Sequence, residues 1–177
     1  GLFIKEGKGN ENNFLGIGCK SDSAQTTITI VEPLEANAGE DVTICRGGTT
    51  QLDGSGGVEY LWIPSLYLDD DINEDPLVEG PLTDMYYNLI ITDINGCNDT
   101  DDVNVFLFPD PIIDAGEDQY ILLGSYVMIT ASGAVSYTWT PVESLSEPNI
   151  YNPLSYAAEN TTYYVYGTDE NGCTGMD

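Results

Sequence analysis

The sequence predicts an all-β protein made of tandem antiparallel β-sandwiches arranged head to tail. Three observations predict it. The chain repeats itself at a spacing of about 77 residues, its apolar residues alternate with polar ones at a period of two, and no stretch of a dozen residues shows a helical apolar stripe.

The repeat fixes the units. Ala38-Gly39-Glu40-Asp41 returns as Ala115-Gly116-Glu117-Asp118, and Tyr60, Trp62, Pro64 and Leu68 return as Tyr137, Trp139, Pro141 and Leu145. "TDINGC" ending at Cys97 returns as "TDENGC" ending at Cys173, and "GIGCKSDSAQTTITIVEP" (16 to 33) parallels "INGCNDTDDVNVFLFPDP" (94 to 111). The expected domains are therefore the C-terminal part of a first repeat at 1–33, a complete repeat at 34–110, and a repeat lacking its last strand at 111–177. Short linkers carrying Pro33, Pro109 and Pro111 separate them.

Within the complete repeat the alternation places strands near 42 to 45, 49 to 53, 58 to 63, 77 to 80, 85 to 93 and 100 to 108. Val135, Tyr137 and Trp139 alternate with Ser136, Thr138 and Thr140 in the same way, which puts aromatics on one face and hydroxyls on the other. Asn95-Gly96 and Asn171-Gly172 stand where a tight hairpin needs positive φ angles. Six or seven short strands with one tryptophan in the third make each unit immunoglobulin-like, with Trp62 and Trp139 in the cores.

Composition excludes several function classes. The chain holds 30 acidic residues, 4 basic ones and no histidine, for a formal charge of -26 over 177 residues. Nucleic acid is not an expected partner, because binding it needs Lys and Arg on phosphates. Anionic membrane surfaces are disfavoured for the same reason, and no run of about 18 apolar residues offers a membrane span. Without histidine, Ser-His-Asp and Cys-His catalysis cannot be assembled, and the chain reads as non-enzymatic. The opening "GLFIKEGKGNENN" lacks the apolar core of a signal peptide and reads as a cut inside a larger protein.

The string from "AGED" through the Tyr-x-Trp-x-Pro strand, "NPL" (152 to 154) and "TTYYVYGTDENGC" resembles the PKD-like or Ig-like repeats of very large cell-surface proteins in the Bacteroidota, including gliding-motility adhesins. The resemblance covers nearly the whole chain. It implies export through type IX secretion, an extracellular oxidising location and a part in adhesion, motility or a surface fibre. The loop "LYLDDDINEDP" of the middle repeat departs from the pattern, with acidic residues where the next repeat has "SLSEPNIYNP".

In that setting the four cysteines are expected to form disulfides. Cys19, Cys97 and Cys173 each lie just past the turn between a repeat's last two strands, whereas Cys45 lies at the corner joining the first two. Those places are at opposite poles of a sandwich, separated by roughly 20 Å for a six-residue strand, and bridged Cα atoms must lie within about 7 Å. A Cys45–Cys97 bond inside one repeat is therefore disfavoured. A head-to-tail array brings Cys45 toward Cys173 of the next repeat, which is the expected bond. By the same rule Cys19 and Cys97 pair with cysteines outside this chain. Leu122, standing in the place of Cys45, implies a following repeat without a turn cysteine.

Other candidate sites are weaker. Asp69, Asp71, Asn73 and Asp75 alternate as calcium-loop ligands do, but the glycine and glutamate of an EF-hand are misplaced. A solvated acidic loop is the first reading and calcium the second; no other cofactor is expected. Asp22-Ser23-Ala24 matches, by the resemblance, a short O-glycosylation motif at Ser23. Tyr86, Tyr164 and Tyr166 fall out of phase with the core face, where cross-strand packing is favoured over sugar binding.

Together these features predict a non-catalytic stalk: a load-bearing, spacing segment of a long secreted cell-surface adhesin or extracellular fibre. Its expected partners are neighbouring repeats of the same longer chain, and other fibres or surface glycans. Two alternatives stand beside it, a carbohydrate-binding module of a secreted polysaccharide-degrading enzyme, and a fibre subunit polymerising by strand donation.

Overall fold

The structure, a computed structural model, describes residues 33–177; Cys19 and Ser23 lie outside the described residues. Residues 33–177 form one compact unit with two separate hydrophobic cores. The described residues contain strands, bridges and turns and no helix, so none is long and apolar enough to cross a membrane.

Around the first core run β1 (Val42–Ile44), β2 (Thr49–Gln51), β3 (Glu59–Ile63), β4 (Leu77–Glu79), β5 (Met85–Thr92) and β6 (Asn98–Leu107). One sheet has the order β1-β6-β5-β3, with β1 parallel to β6 and the other pairs antiparallel; β2 and β4 form a second, antiparallel pair. Alternation drives the burial. On β5, Tyr87, Leu89 and Ile91 are fully buried and meet Trp62 of β3 and Val103 and Val105 of β6, while Leu52 and Val78 come from the other side. The result is an immunoglobulin-like sandwich with its tryptophan at the centre. The Trp62 indole N–H donates to the Asn73 carbonyl (3.0 Å), so the ring is buried without an orphaned donor.

The second core repeats the plan with β7 (Val127–Met128), β8 (Ser136–Thr140), β9 (Leu154–Ser155), β10 (Tyr164–Thr168) and β11 (Thr174–Met176). Trp139 is 1% exposed and donates to the Ile150 carbonyl (2.9 Å), the same eleven-residue reach as Trp62. Ile113, Ala131 and Val165 complete the buried set. Residues 119 to 121, which occupy the place of β1, form no strand here. In the first half that strand pairs with the far end of β6, Val105–Leu107.

The AGED motif is a backbone device. Gly39 and Gly116 have φ of 85° and 80°, and each amide donates to the side-chain oxygen two residues earlier, of Asn37 (3.0 Å) and Asp114 (2.8 Å). Ala38 N donates to Asp101 (2.8 Å), and Ala115 N likewise to Asp177 (2.9 Å), which ties the motif to β6 in one half and to the residue after β11 in the other. Gly56 and Gly133, also matched between the halves, have positive φ, and a Cβ there would run into the carbonyls of Glu35 and Ile112.

One expectation is corrected. Asn95 does not adopt a positive φ; Gly96 alone does, at 81°. Gly96 N donates to Asp93 O (3.0 Å) and Asp93 N to Cys97 O (2.9 Å), so the loop is a type I turn closed by a left-handed glycine. The Asn-Gly pair had suggested the tighter two-residue hairpin, which needs two positive φ values; the extra residue removes that need at Asn95.

Candidate functional site

The feature that sets this molecule apart from a pair of independent sandwiches lies where β1 ends. The chain turns through Cys45-Arg46-Gly47-Gly48, with Gly48 N donating to Cys45 O (2.9 Å) and Gly47 at φ 72°. Gly47 N donates to Pro81 O and Gly80 N to Gly48 O, both 2.9 Å, so the corner is pinned to the loop after β4.

The partner element is the turn between β10 and β11. Asp169 organises it: its Oδ1 accepts the amides of Asn171 (2.9 Å) and Cys173 (2.8 Å). Gly172 N donates to Asp169 O (3.2 Å), and Asp169 N to Cys173 O (2.9 Å). Held this way, Cys173 is 4% exposed and bonded to Cys45, with Sγ–Sγ 2.07 Å and Cα–Cα 5.3 Å, inside the range that a bridge requires. The bond joins residues 128 apart in sequence and links the first half of the unit to the second.

Arg46, one of only four basic residues, adds a polar clamp. Its Nε lies 2.9 Å from Asp110 Oδ2 and its Nη1 donates to Leu82 O (2.7 Å). Both charged side chains are at least half exposed, so the ion pair contributes at most about 1 kcal/mol. Its effect is geometric, tying the corner to the Pro109-Asp110-Pro111 linker. The sequence reading missed Arg46 and Asp110, since neither belongs to a motif.

Cys97 occupies the turn matched to that of Cys173. Asp93 Oδ1 accepts the amides of Asn95 and Cys97, both 2.8 Å. The Cys97 amide, with help from Asn95, holds the Asp93 carboxyl below the usual carboxylate range. Among the described residues Cys97 has no disulfide partner, and it is exposed.

Much of the acidic loop is tied into the fold by its own hydrogen bonds. Asp69 Oδ1 accepts the amides of Asp70 and Leu77, both 2.8 Å, the Asp71 and Asn73 backbone carbonyls accept from Trp62, and Asp75 Oδ1 accepts Gly54 N (3.1 Å). Among the described residues no three His, Cys, Asp or Glu side chains converge as metal ligands. Ser146 takes the place of Asp69 in the other half, its hydroxyl accepting Leu154 N (2.9 Å). A hydroxyl thus does the same local work as a carboxylate. Asp69→Ser is expected to shift the melting temperature by less than about 3 °C, equally with and without millimolar calcium. A calcium-dependent loss measured by scanning calorimetry would contradict this.

Tyr86, Tyr164 and Tyr166 are 52%, 48% and 47% exposed, on the outer faces of β5 and β10. Tyr164 and Tyr166 stand beside Thr140 and Thr138 of β8, with Ser136 one step further. Tyr87, next to Tyr86, is the opposite case: fully buried, its hydroxyl donating to Leu66 O (2.8 Å), and pushed up to about 12 by burial and then by nearby Tyr67. A tyrosine whose folded pKa exceeds its unfolded value near 10 stabilises the fold below pH 10 and loses that contribution as pH rises from 10 to about 12. Tyr87→Phe is expected to cost about 1 kcal/mol at neutral pH. The parent should then lose about 2 kcal/mol more than the variant between pH 10 and 12, measured by urea melts.

No protein family and no curated protein matches the sequence. Among solved structures, the human desmocollin-1 ectodomain aligns at 10% identity with a TM-score of 0.32, over 83% of this chain and 36% of its own. A titin fragment aligns at 11% identity and 0.35, over 82% of this chain and 93% of that one. The SGBP-B protein of the Bacteroides ovatus mixed-linkage glucan utilization locus, solved with a mixed-linkage heptasaccharide, aligns at 17% identity and 0.21, over 74% and 37%. The chain spans about a third of the desmocollin-1 chain, and at these scores none of the three adds to the fold described above. Its own strand pairing and cores make the protein an all-β chain of immunoglobulin-like sandwich type.

Proposed function

We propose that the chain is a non-catalytic, load-bearing stalk segment of a long extracellular surface protein, of the kind its repeat resembles in the secreted adhesins of the Bacteroidota. In this reading the units are 1–33, 34–110 and 111–177, stacked head to tail with further repeats of the same chain.

The supporting observation is the route that force would take through the unit. A pull applied at Pro33 and Asp177 runs from the N-terminal end to Cys45, crosses the disulfide, and leaves from Cys173. Residues between the two cysteines, which include both tryptophans, eight of the nine buried residues of the first core, all four of the second and β2 to β10, lie off the loaded path, while β1 and β11 lie on it. Non-covalent contacts between sandwiches of one chain ordinarily permit hinging and peel apart under load; here a covalent bond carries the load instead.

Single-molecule force spectroscopy tests this. The oxidised chain should yield no unfolding step from the 45–173 loop. Reduction should release a loop of 128 residues, about 400–450 Å of contour length. Equal extension before and after reduction would remove the load-bearing reading.

A second reading rests on the outer face of β8 and β10, where Tyr164 and Tyr166 sit among Ser136, Thr138 and Thr140 with no charged residue in the set. Such a face suits a neutral glycan. Binding on a glycan array that falls when both tyrosines are replaced by alanine would favour it; no binding would leave the stalk alone.

A further inference from the structure

The two Asp-x-Asn-Gly-Cys turns of this molecule share their backbone hydrogen bonding and differ in occupancy. In both, the aspartate Oδ1 accepts the amides two and four residues ahead, at 2.8–2.9 Å, and the aspartate amide donates to the cysteine carbonyl at 2.9 Å. In both, a glycine with φ near 80° precedes the cysteine. One turn is covered by a corner whose cysteine it binds, leaving Cys173 at 4% exposure; among the described residues no such corner covers the other, and its Cys97 is exposed.

A second observation points to a protein surface over the open turn. Ile94 is 88% exposed beside Cys97, at the position where the covered turn carries Glu170.

We infer that the Asp93–Cys97 turn is the docking site for the first corner of another repeat of this kind, and that Cys97 forms with that corner's cysteine the bond that Cys173 forms with Cys45. The inference rests on the stalk reading and adds a specific second staple to it. The partner's chemistry follows from the corner already seen: a cysteine at the end of a first strand, followed by two glycines that let the backbone come close. With oxidised glutathione as the electron acceptor, the corner thiol first exchanges into a mixed disulfide and releases one glutathione. The Cys97 thiolate then attacks the corner sulfur, the protein disulfide forms, and the second glutathione leaves as thiolate.

A tandem duplication of residues 32–108, placed after Phe108 in the full chain, supplies that partner. The first copy then presents its Cys45 corner to the Cys97 turn of the second copy, whose own Cys45 faces Cys173 as before. Thr100→Ser in the second copy, an exposed position, marks its peptide. After oxidation with a glutathione buffer, non-reducing peptide mapping should find two bonds, one from the first Cys45 to the second Cys97 and one from the second Cys45 to Cys173. Ile94→Asp in the second copy should slow the first bond at least about threefold and leave the second unchanged, because only the first buries that side chain.

If the second Cys97 stays reduced, or pairs with Cys19 or the other Cys97, while the bond to Cys173 forms, the inference is overturned and the stalk reading survives. If neither bond forms, both are overturned.

Discussion

Replacing Cys45 and Cys173 together by serine is expected to lower the unfolding free energy of the 33–177 unit by about 2–5 kcal/mol. The bond closes a loop of 128 residues, and in the chain-entropy description a loop that long restricts the unfolded ensemble by close to 5 kcal/mol, the upper end of the range. Little else can substitute. The Arg46–Asp110 pair is exposed, and interdomain contacts of this kind are small. The double substitution is preferable to the single one because a liberated Cys173 could exchange with exposed Cys97. Urea melts followed by tryptophan fluorescence should show the midpoint falling and the two tryptophan environments unfolding at separate concentrations. A coincident transition at the parent's midpoint would mean that the bond adds no stability and no coupling.

Trp139→Ala is expected to have an effect of similar size with a different distribution. Removing a buried tryptophan costs about 3–5 kcal/mol through lost transfer energy and the cavity left behind. The second core has Ile113, Ala131, Trp139 and Val165 as its buried members, whereas the first has nine. A core that small sits near the lower limit for independent folding, so the loss should exceed its reserve. The second half should then exchange its amide protons rapidly at 25 °C, while Trp62, Tyr87 and Leu89 keep the first half protected. Trp62→Ala should instead lower the melting temperature of the first half without unfolding it at 25 °C. Equal protection of both halves in the Trp139 variant, read by hydrogen exchange, would show the second core to be stronger than its buried residues imply.

Much of the strand layout was legible because burial in a sandwich imposes a period of two on every strand. Tyr87, Leu89 and Ile91, or Tyr137 and Trp139, announce a core face before any coordinates exist. The strands lie within a few residues of where the alternation puts them. The exceptions follow from pairing between distant segments and from local geometry: Val42–Ile44 is a strand through its pairing with Val105–Leu107, a partner that no local pattern names, and residues 119 to 121 form none.

The acidic residues were the least legible part. Read as charge, thirty carboxylates speak of solubility and cations. In the fold, Asp41, Asp84, Asp99 and Asp101 accept backbone amides across 23 to 63 residues of sequence, and Asp93 and Asp169 shape the turns that present the cysteines. Nothing in the local sequence distinguishes a carboxylate facing water from one capping an amide, because the donor comes from another strand.

By itself the sequence determined the repeat, the all-β architecture, the tryptophan cores and the two classes of cysteine position, since each depends on periodicity or on spacing along the chain. Only the tertiary structure decided that Cys45 and Cys173 stand 5.3 Å apart, that Arg46 reaches Asp110, and that Cys97 is left exposed. Those are distances between residues far apart in sequence, fixed by how two cores and a linker pack, and no local pattern carries them.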